Sequence, residues 1–269
     1  MQIIGIIAGG GKSPILAARS AKDRGYSVAA VAYQDETDPR IEEFVDQIQW
    51  LRLGQFGKLI KTLKRFRVQK ALMIGTIKKR RMFKDIRPDL RGLRLISRLS
   101  ILHDDNILRA VADEIESEGI EIVGIREILP ELIAPEGVLT ERRPDRREME
   151  DIRLGWKVAK ELGRLDIGQC VVVNQKVVVA VEAIEGTDET IRRGGRLSGK
   201  GAVVVKVCKP LQDHRFDLPT VGKDTIEIMK DAEASVLSVE AGKTLIFDMD
   251  EMIAFANDSG ISIISMKEE

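Results

Sequence analysis

Short β-branched apolar runs separated by helical stretches recur along this 269-residue chain, and that alternation leaves few folds open. Gln2–Ala8 is the first run. It ends in Gly9-Gly10-Gly11, and Ser13-Pro14 then supplies a helix N-cap followed by proline at the first helical position. The helix is expected to run to about Arg24 and to stop at Gly25, ahead of a strand at Ser27–Tyr33. Strands at Gln47–Leu53 and Lys70–Gly75 flank a helical pattern near Phe56–Arg67. A further helix, from Asn106 to about Ser117 with Asp104 or Asp105 as cap, leads to a strand at Glu121–Gly124. Strands and helices alternating at this spacing predict parallel β-α units, Rossmann-like in outline.

The character changes between about Pro130 and Arg147, where Pro130, Pro135, Gly137 and Pro144 punctuate the chain and charges dominate from Glu141. The expected organisation is two α/β domains: a Rossmann-like one with a mainly parallel sheet over residues 1–135, a linker over 136–147, and a second, catalytic one over 148–269. The second half opens with a helix near Glu148–Leu162. Two apolar runs, Gly168–Val173 and Lys176–Ile184, then turn at Asn174-Gln175 like a hairpin. Later strands are expected at Gly201–Val207, Ser235–Val239, Thr244–Phe247 and Ile261–Ser265.

The segment Lys209–Gly222 follows one of these strands and carries two carboxylates (Asp213, Asp217), two cations (Lys209, Arg215), His214, Gln212 and Thr220. Pro210 and Pro219 restrict its backbone by fixing φ. So many polar groups, stiffened beside a buried strand, point to an active-site loop. Glu182 stands between Val181 and Ala183 in an otherwise apolar run, and a buried carboxylate there needs a partner. Thr187 and Asp188 follow it and can cap the next helix.

Composition narrows the chemistry. Formal net charge is zero, so no global field recruits nucleic acid, although fifteen Lys and Arg face two acids between Lys58 and Arg98. Two cysteines, far apart in apolar runs, argue against a disulfide scaffold and for a reducing compartment. The start of the chain enters a strand directly and no apolar run approaches membrane-spanning length, so the expectation is a cytoplasmic protein. His103 and His214 are the only histidines, too few for a histidine-rich bimetal centre, and no H-E-x-x-H, C-x-x-C or G-x-S-x-G occurs. What remains is carboxylates, cations and backbone amides, which suit metal-assisted chemistry on phosphate.

Gly9-Gly10-Gly11 fits neither the P-loop nor the G-x-G-x-x-G pattern. Two readings stay open: amides of Gly10 and Gly11 contacting an anion, or a tight strand-to-helix turn that needs glycine. Thr76 follows the Lys70–Gly75 strand and belongs at the same carboxyl edge, where open α/β sheets bind ligands. Lys78-Lys79-Arg80-Arg81 reads as a solvated segment or as a docking surface for phosphates, in substrate or lipid headgroups. His103-Asp104-Asp105 reads as a helix cap or as carboxylates for Mg²⁺.

Several of these stretches resemble the LpxI-type UDP-2,3-diacylglucosamine pyrophosphatases. They are Gly5-Ile-Ile-Ala-Gly-Gly-Gly11, Asp104-Asp105-Asn-Ile-Leu-Arg-Ala-Val111, Leu165-Asp-Ile-Gly-Gln-Cys-Val-Val-Val173, Val181-Glu-Ala-Ile-Glu-Gly-Thr-Asp188, Asp217-Leu-Pro-Thr-Val-Gly222 and Glu240-Ala-Gly-Lys243. They occur in order and span essentially the whole chain. The resemblance implies an enzyme of lipid A biosynthesis that hydrolyses its substrate to UMP and 2,3-diacylglucosamine 1-phosphate with Mg²⁺. It also implies two α/β domains with the ligand between them and a homodimer. The sequence leaves two readings open, a soluble enzyme and one that touches the membrane surface transiently. The resemblance gives the important carboxylate as Asp217, expected to bind Mg²⁺ or position the attacking water, and the reading of the residues ranks Asp104, Asp105 and Glu182 behind it for metal or substrate. On the same reading Lys209 and Arg215 clamp phosphate oxygens, and Thr187, Asp188, Gln212 and Thr220 bond the nucleotide or sugar. His103 stands where the family often has Gly, and Leu211 likewise.

Two other classes compete. The Rossmann-like start suggests a nicotinamide-dependent oxidoreductase, against which the missing G-x-G-x-x-G counts. A non-enzymatic nucleotide-sugar or lipid-binding regulator would bind the same ligand and release no UMP.

Overall fold

The computed structural model describes residues 2–77, 88–98, 104–210, 213–215 and 218–267, with the side chains at 96, 98 and 104–106 excepted. The chain forms two compact units, the first being residues 1–130 with a short piece around residues 213–215, and the second most of the remainder.

In the first unit, β1 (Ile3–Ala8), β2 (Ser27–Tyr33), β3 (Gln47–Leu51), β4 (Lys70–Ile74) and β5 (Glu121–Ile122) form one sheet in the order β3-β2-β1-β4-β5. Every pairing is parallel. Helices cover such a sheet on both faces, so its strands read as continuous apolar runs rather than alternating ones. Helices α1 (Ser13–Asp23), α2 (Phe56–Arg65), α3 (Leu90–Arg98) and α4 (Asp104–Glu116) belong to this unit. Ile7, Val31, Leu59, Leu63, Ala71 and Ile115 share one buried cluster between strands and helices. The 3-2-1-4-5 order makes the fold Rossmann-like, with its reversal of strand order at β1 and β4. The helix of α1 starts differently from the expected cap. Lys12 occupies the N-cap position, no side chain caps the end, and Ser13 is already helical.

The second unit holds a six-stranded sheet of order β6-β13-β11-β9-β7-β8, from β6 (Gly137–Val138), β7 (Cys170–Asn174), β8 (Val177–Val181), β9 (Val203–Lys206), β11 (Val236–Glu240) and β13 (Ser262–Met266). The central strands β9, β11 and β13 run parallel, while β6 and the β7–β8 hairpin supply antiparallel edges. A two-stranded parallel pair, β10 (Thr220–Val221) and β12 (Leu245–Ile246), stands apart from it. Part of the segment expected to be a linker, 136–147, thus joins this sheet as its edge strand.

One face packs on the long helix α5 (Arg146–Arg164), whose start is fixed by a capping box between Asp145 and Glu148. Gly155 lets that helix lie against the sheet, since a Cβ there would stand 2.7 Å from Val205 Cγ2. Helices α6 (Thr187–Ser198), α7 (Lys223–Asp231) and α8 (Met249–Asp258) cover the other face around Val172, Val204, Leu237 and Ile263. The hairpin turns at Gln175-Lys176, one residue later than its sequence suggests. Both residues have positive φ (50° and 65°), and the buried Asp151 carboxylate accepts their amide N–H groups at 2.9 and 2.6 Å.

Candidate active site

The glycine turn of the first unit is shaped by close backbone approach. Gly9 N–H donates to Ile74 O at 2.8 Å, and a Cβ on Gly9 would lie 2.7 Å from Thr76 O. Gly10 and Thr76 exchange both hydrogen bonds, Gly10 N–H to Thr76 O at 2.6 Å and Thr76 N–H to Gly10 O at 3.0 Å. The backbone groups of these two predicted contact residues are therefore engaged with each other. Gly11 differs: its φ is 86° and nothing stands within 4 Å of where its Cβ would be. The need for a tight turn accounts for Gly9 and Gly10 without a ligand.

In the second unit, the carboxyl ends of β8, β9 and β11 and the start of β7 meet at one sheet edge, because Cys170 pairs with Lys206 and Val239 with Lys206 in register. Glu182 lies just past β8 and is buried. Its Oε1 accepts from the Thr187 hydroxyl at 2.9 Å and its Oε2 from the Gln169 amide at 3.0 Å. The partner that the sequence demanded is thus Thr187, at the start of α6, with Asp188 beside it in the first turn. The Cys170 thiol between these groups is pushed far up, first by burial and then by the Glu182 charge, so it is no nucleophile.

The segment that begins after β9 is anchored at both ends by buried lysines. At its start, Lys160 of α5 donates to Cys208 O at 3.2 Å and pairs with Glu240 at 2.7 Å. Glu240 Oε2 also accepts the Cys208 amide at 3.0 Å, and Lys243 stands 2.9 Å from Oε1. Burial pushes the Glu240 carboxyl up, but hydrogen bonds from Lys160 and Lys243 outweigh it and hold the group below the usual carboxylate range. At the far end, Lys206 donates to Thr220 O at 2.8 Å. Thr220 is the first residue of β10, and its hydroxyl donates to Leu218 O at 3.3 Å.

Both predicted phosphate clamps have carboxylate partners. Lys209 Nζ lies 2.6 Å from Asp166 Oδ1. In the first unit, Arg215 bonds both oxygens of Asp213 at 3.2 and 3.0 Å and Glu116 at 3.0 Å. Burial would raise the Asp213 carboxyl, yet the Arg215 hydrogen bonds hold it low, and Asp213 in return raises Arg215. Asp217 and Gln212 lie outside the described residues, as do the side chains of Asp104 and Asp105, whose backbone opens α4. The basic run at 78–81 and His103 are outside them too. Among the described residues no group of three or more His, Cys, Asp or Glu gathers to hold a metal ion.

Lys160, Lys206 and Glu240 went unassigned from sequence, although a signal existed. Lys206 interrupts the apolar run 202–207 just as Glu182 interrupts its own, and Glu240 ends the run 236–240.

Residues 3–132 match the LpxI N-terminal domain and residues 135–264 the LpxI C-terminal domain. UDP-2,3-diacylglucosamine pyrophosphatase LpxI of Caulobacter vibrioides is 36% identical over 277 residues, covering 99% of this chain and 98% of that protein. Likeness to solved structures is remote. CobK precorrin-6A reductase aligns over 100% of this chain and 89% of its own at 11% identity and TM-score 0.32. N5-carboxyaminoimidazole ribonucleotide synthetase of Thermotoga maritima aligns over 69% and 42% at 15% identity and TM-score 0.26. Likenesses this low carry no argument.

Proposed function

The chain belongs to the LpxI family, and from that premise we propose that it is a UDP-2,3-diacylglucosamine pyrophosphatase, a hydrolase of lipid A biosynthesis releasing UMP and 2,3-diacylglucosamine 1-phosphate. The observation that carries this reading is the relative of that activity, 36% identical across 99% of the chain. In the reaction, water adds to one phosphorus of the pyrophosphate and the bridging P–O bond breaks. Both products leave as phosphate monoesters, and the protons of the water pass to bases or solvent.

Asp217 is the proposed principal carboxylate, which would bind Mg²⁺ or position the attacking water; Asp104 and Asp105 are the further residues that would hold the metal. Bound Mg²⁺ supplies neutralisation of charge on the phosphate oxygens. The anchoring of Cys208 and Thr220 by buried lysines supports a catalytic role for the segment between them, since a reacting group needs a rigid frame. Glu182 and Thr187, bonded to each other at that sheet edge, are the proposed polar contacts for sugar or nucleotide, together with Asp188 and Thr220.

The substrate carries two acyl chains and resides in a bilayer. No helix among the described residues is long and apolar enough to cross one. The enzyme is therefore proposed to meet its substrate at the membrane surface, and the family resemblance supports a cytoplasmic homodimer.

Asp217→Ala tests the assignment. It should fold, with an unchanged circular dichroism spectrum, and lose UMP release by about 100-fold or more. Near-normal turnover by that variant refutes the role of Asp217.

A further inference from the structure

Lys206 ends β9, between Val205 and Val207, and is 8% exposed. Its ammonium donates to one neutral acceptor, the Thr220 carbonyl oxygen at 2.8 Å. Among the described residues no carboxylate stands within ion-pair distance of it. Lys160, the other lysine buried among the described residues, has Glu240 at 2.7 Å. Withdrawing an ammonium from water costs several kcal/mol, and a single carbonyl meets one of its three donors. Among the described residues Lys206 thus has a carbonyl acceptor and no ion pair, at the sheet edge where Glu182, Thr187 and Thr220 also lie. Lys209 and Arg215 are the obvious cations of the neighbouring segment, but both already face carboxylates at 3.0 Å or less.

We propose that Lys206 is the buried cation that receives a phosphate group of the substrate, a part that the sequence alone would give to Lys209 and Arg215. The inference rests on the reading that the substrate is a nucleotide-linked pyrophosphate. A buried ammonium without an ion pair among the described residues is stabilised when a phosphate oxygen becomes a further acceptor, and that gain is available only to a phosphorylated ligand. Lys206 thereby links substrate binding to the segment ahead of Thr220, because one ammonium would hold both the phosphate and the carbonyl that fixes the segment's end.

Calorimetric titration of the full-length protein with UMP and with uridine tests this. Wild type should bind UMP more tightly than uridine. Lys206→Met should weaken UMP by about 10- to 100-fold, the scale of a hydrogen bond to a charged group, and leave uridine unchanged. Its thermal midpoint should fall only slightly, because the Thr220 carbonyl loses one hydrogen bond while an apolar chain of similar volume replaces a charge that has no carboxylate partner among the described residues. If the methionine variant does not fold, Lys206→Gln serves: it keeps a donor for Thr220 and loses the charge, so UMP must weaken and uridine must not. Equal loss for both ligands would make Lys206 a structural support and overturn the proposal. So would a variant that binds UMP like wild type, or a wild type that does not prefer UMP to uridine. Hydrolysis of UDP-2,3-diacylglucosamine by wild type is scored separately, so failure of the enzymatic reading is distinguishable from failure of this one.

Discussion

Replacing Lys160 by methionine removes the ammonium that stands 2.7 Å from the Glu240 carboxylate and 3.2 Å from the Cys208 carbonyl oxygen. Lys160 is 5% exposed and Glu240 1%, so solvent screens the pair little. Removing one partner of such a pair costs about 3–5 kcal/mol, because the other charge stays buried. Lys243 remains 2.9 Å from the second Glu240 oxygen, which sets the expected loss at the low end, about 3 kcal/mol. That lowers the thermal midpoint of the second unit by roughly 10 °C.

The assay can be confined to this unit. Trp156 lies on the same helix, with its ring 5.8 Å from the Lys160 ammonium, and Trp50 is the only other tryptophan. In a Trp50→Phe background, urea unfolding followed by fluorescence reports on Trp156 alone. The double variant Lys160→Met/Glu240→Leu should lose less than Lys160→Met, although the Cys208 amide and carbonyl each forfeit a partner worth about 1 kcal/mol. The pH dependence has a defined sign. The folded Glu240 carboxyl sits below its ordinary value, so its contribution is complete above about pH 4.3 and fades as pH falls through the lowered value. Wild type and Glu240→Gln should differ at neutral pH and converge in acid. A Lys160→Met loss under about 1 kcal/mol would refute the claim that this pair anchors the segment.

Asp151→Ala removes the acceptor for two amides in a hairpin turn without glycine, and should cost about 3 kcal/mol in the same urea assay, with Asp151→Asn intermediate. Gly9→Ala places a methyl 2.7 Å from Thr76 O and should destabilise the first unit by about 1–3 kcal/mol, read from Trp50 fluorescence in a Trp156→Phe background.

Sequence pattern identified the β2 strand at its observed bounds and the parallel first sheet, because runs buried on both faces leave an unbroken apolar signature. It missed β6 and β10, two residues each, which are too short to show any period. The hairpin slipped by one residue because its turn is set by Asp151, a residue far back on α5, and not by the local Asn174. Ser13 looked like a cap, yet the helix starts a residue earlier.

The candidate site was legible in part. Glu182 is marked in the sequence as a charge in an apolar strand, and Lys206 bears the same mark, masked by the polar segment that follows it. Lys209 and Arg215 are the evident cations of that segment, but Asp166 and Glu116, which pair with them, are distant in sequence and meet them only in the fold.

The most direct test of the central claim is product analysis with wild-type protein, UDP-2,3-diacylglucosamine and Mg²⁺, by ³¹P NMR and mass spectrometry. Cleavage of the pyrophosphate predicts equimolar UMP and 2,3-diacylglucosamine 1-phosphate. Release of UDP with an unphosphorylated sugar, or recovery of intact substrate, would contradict it.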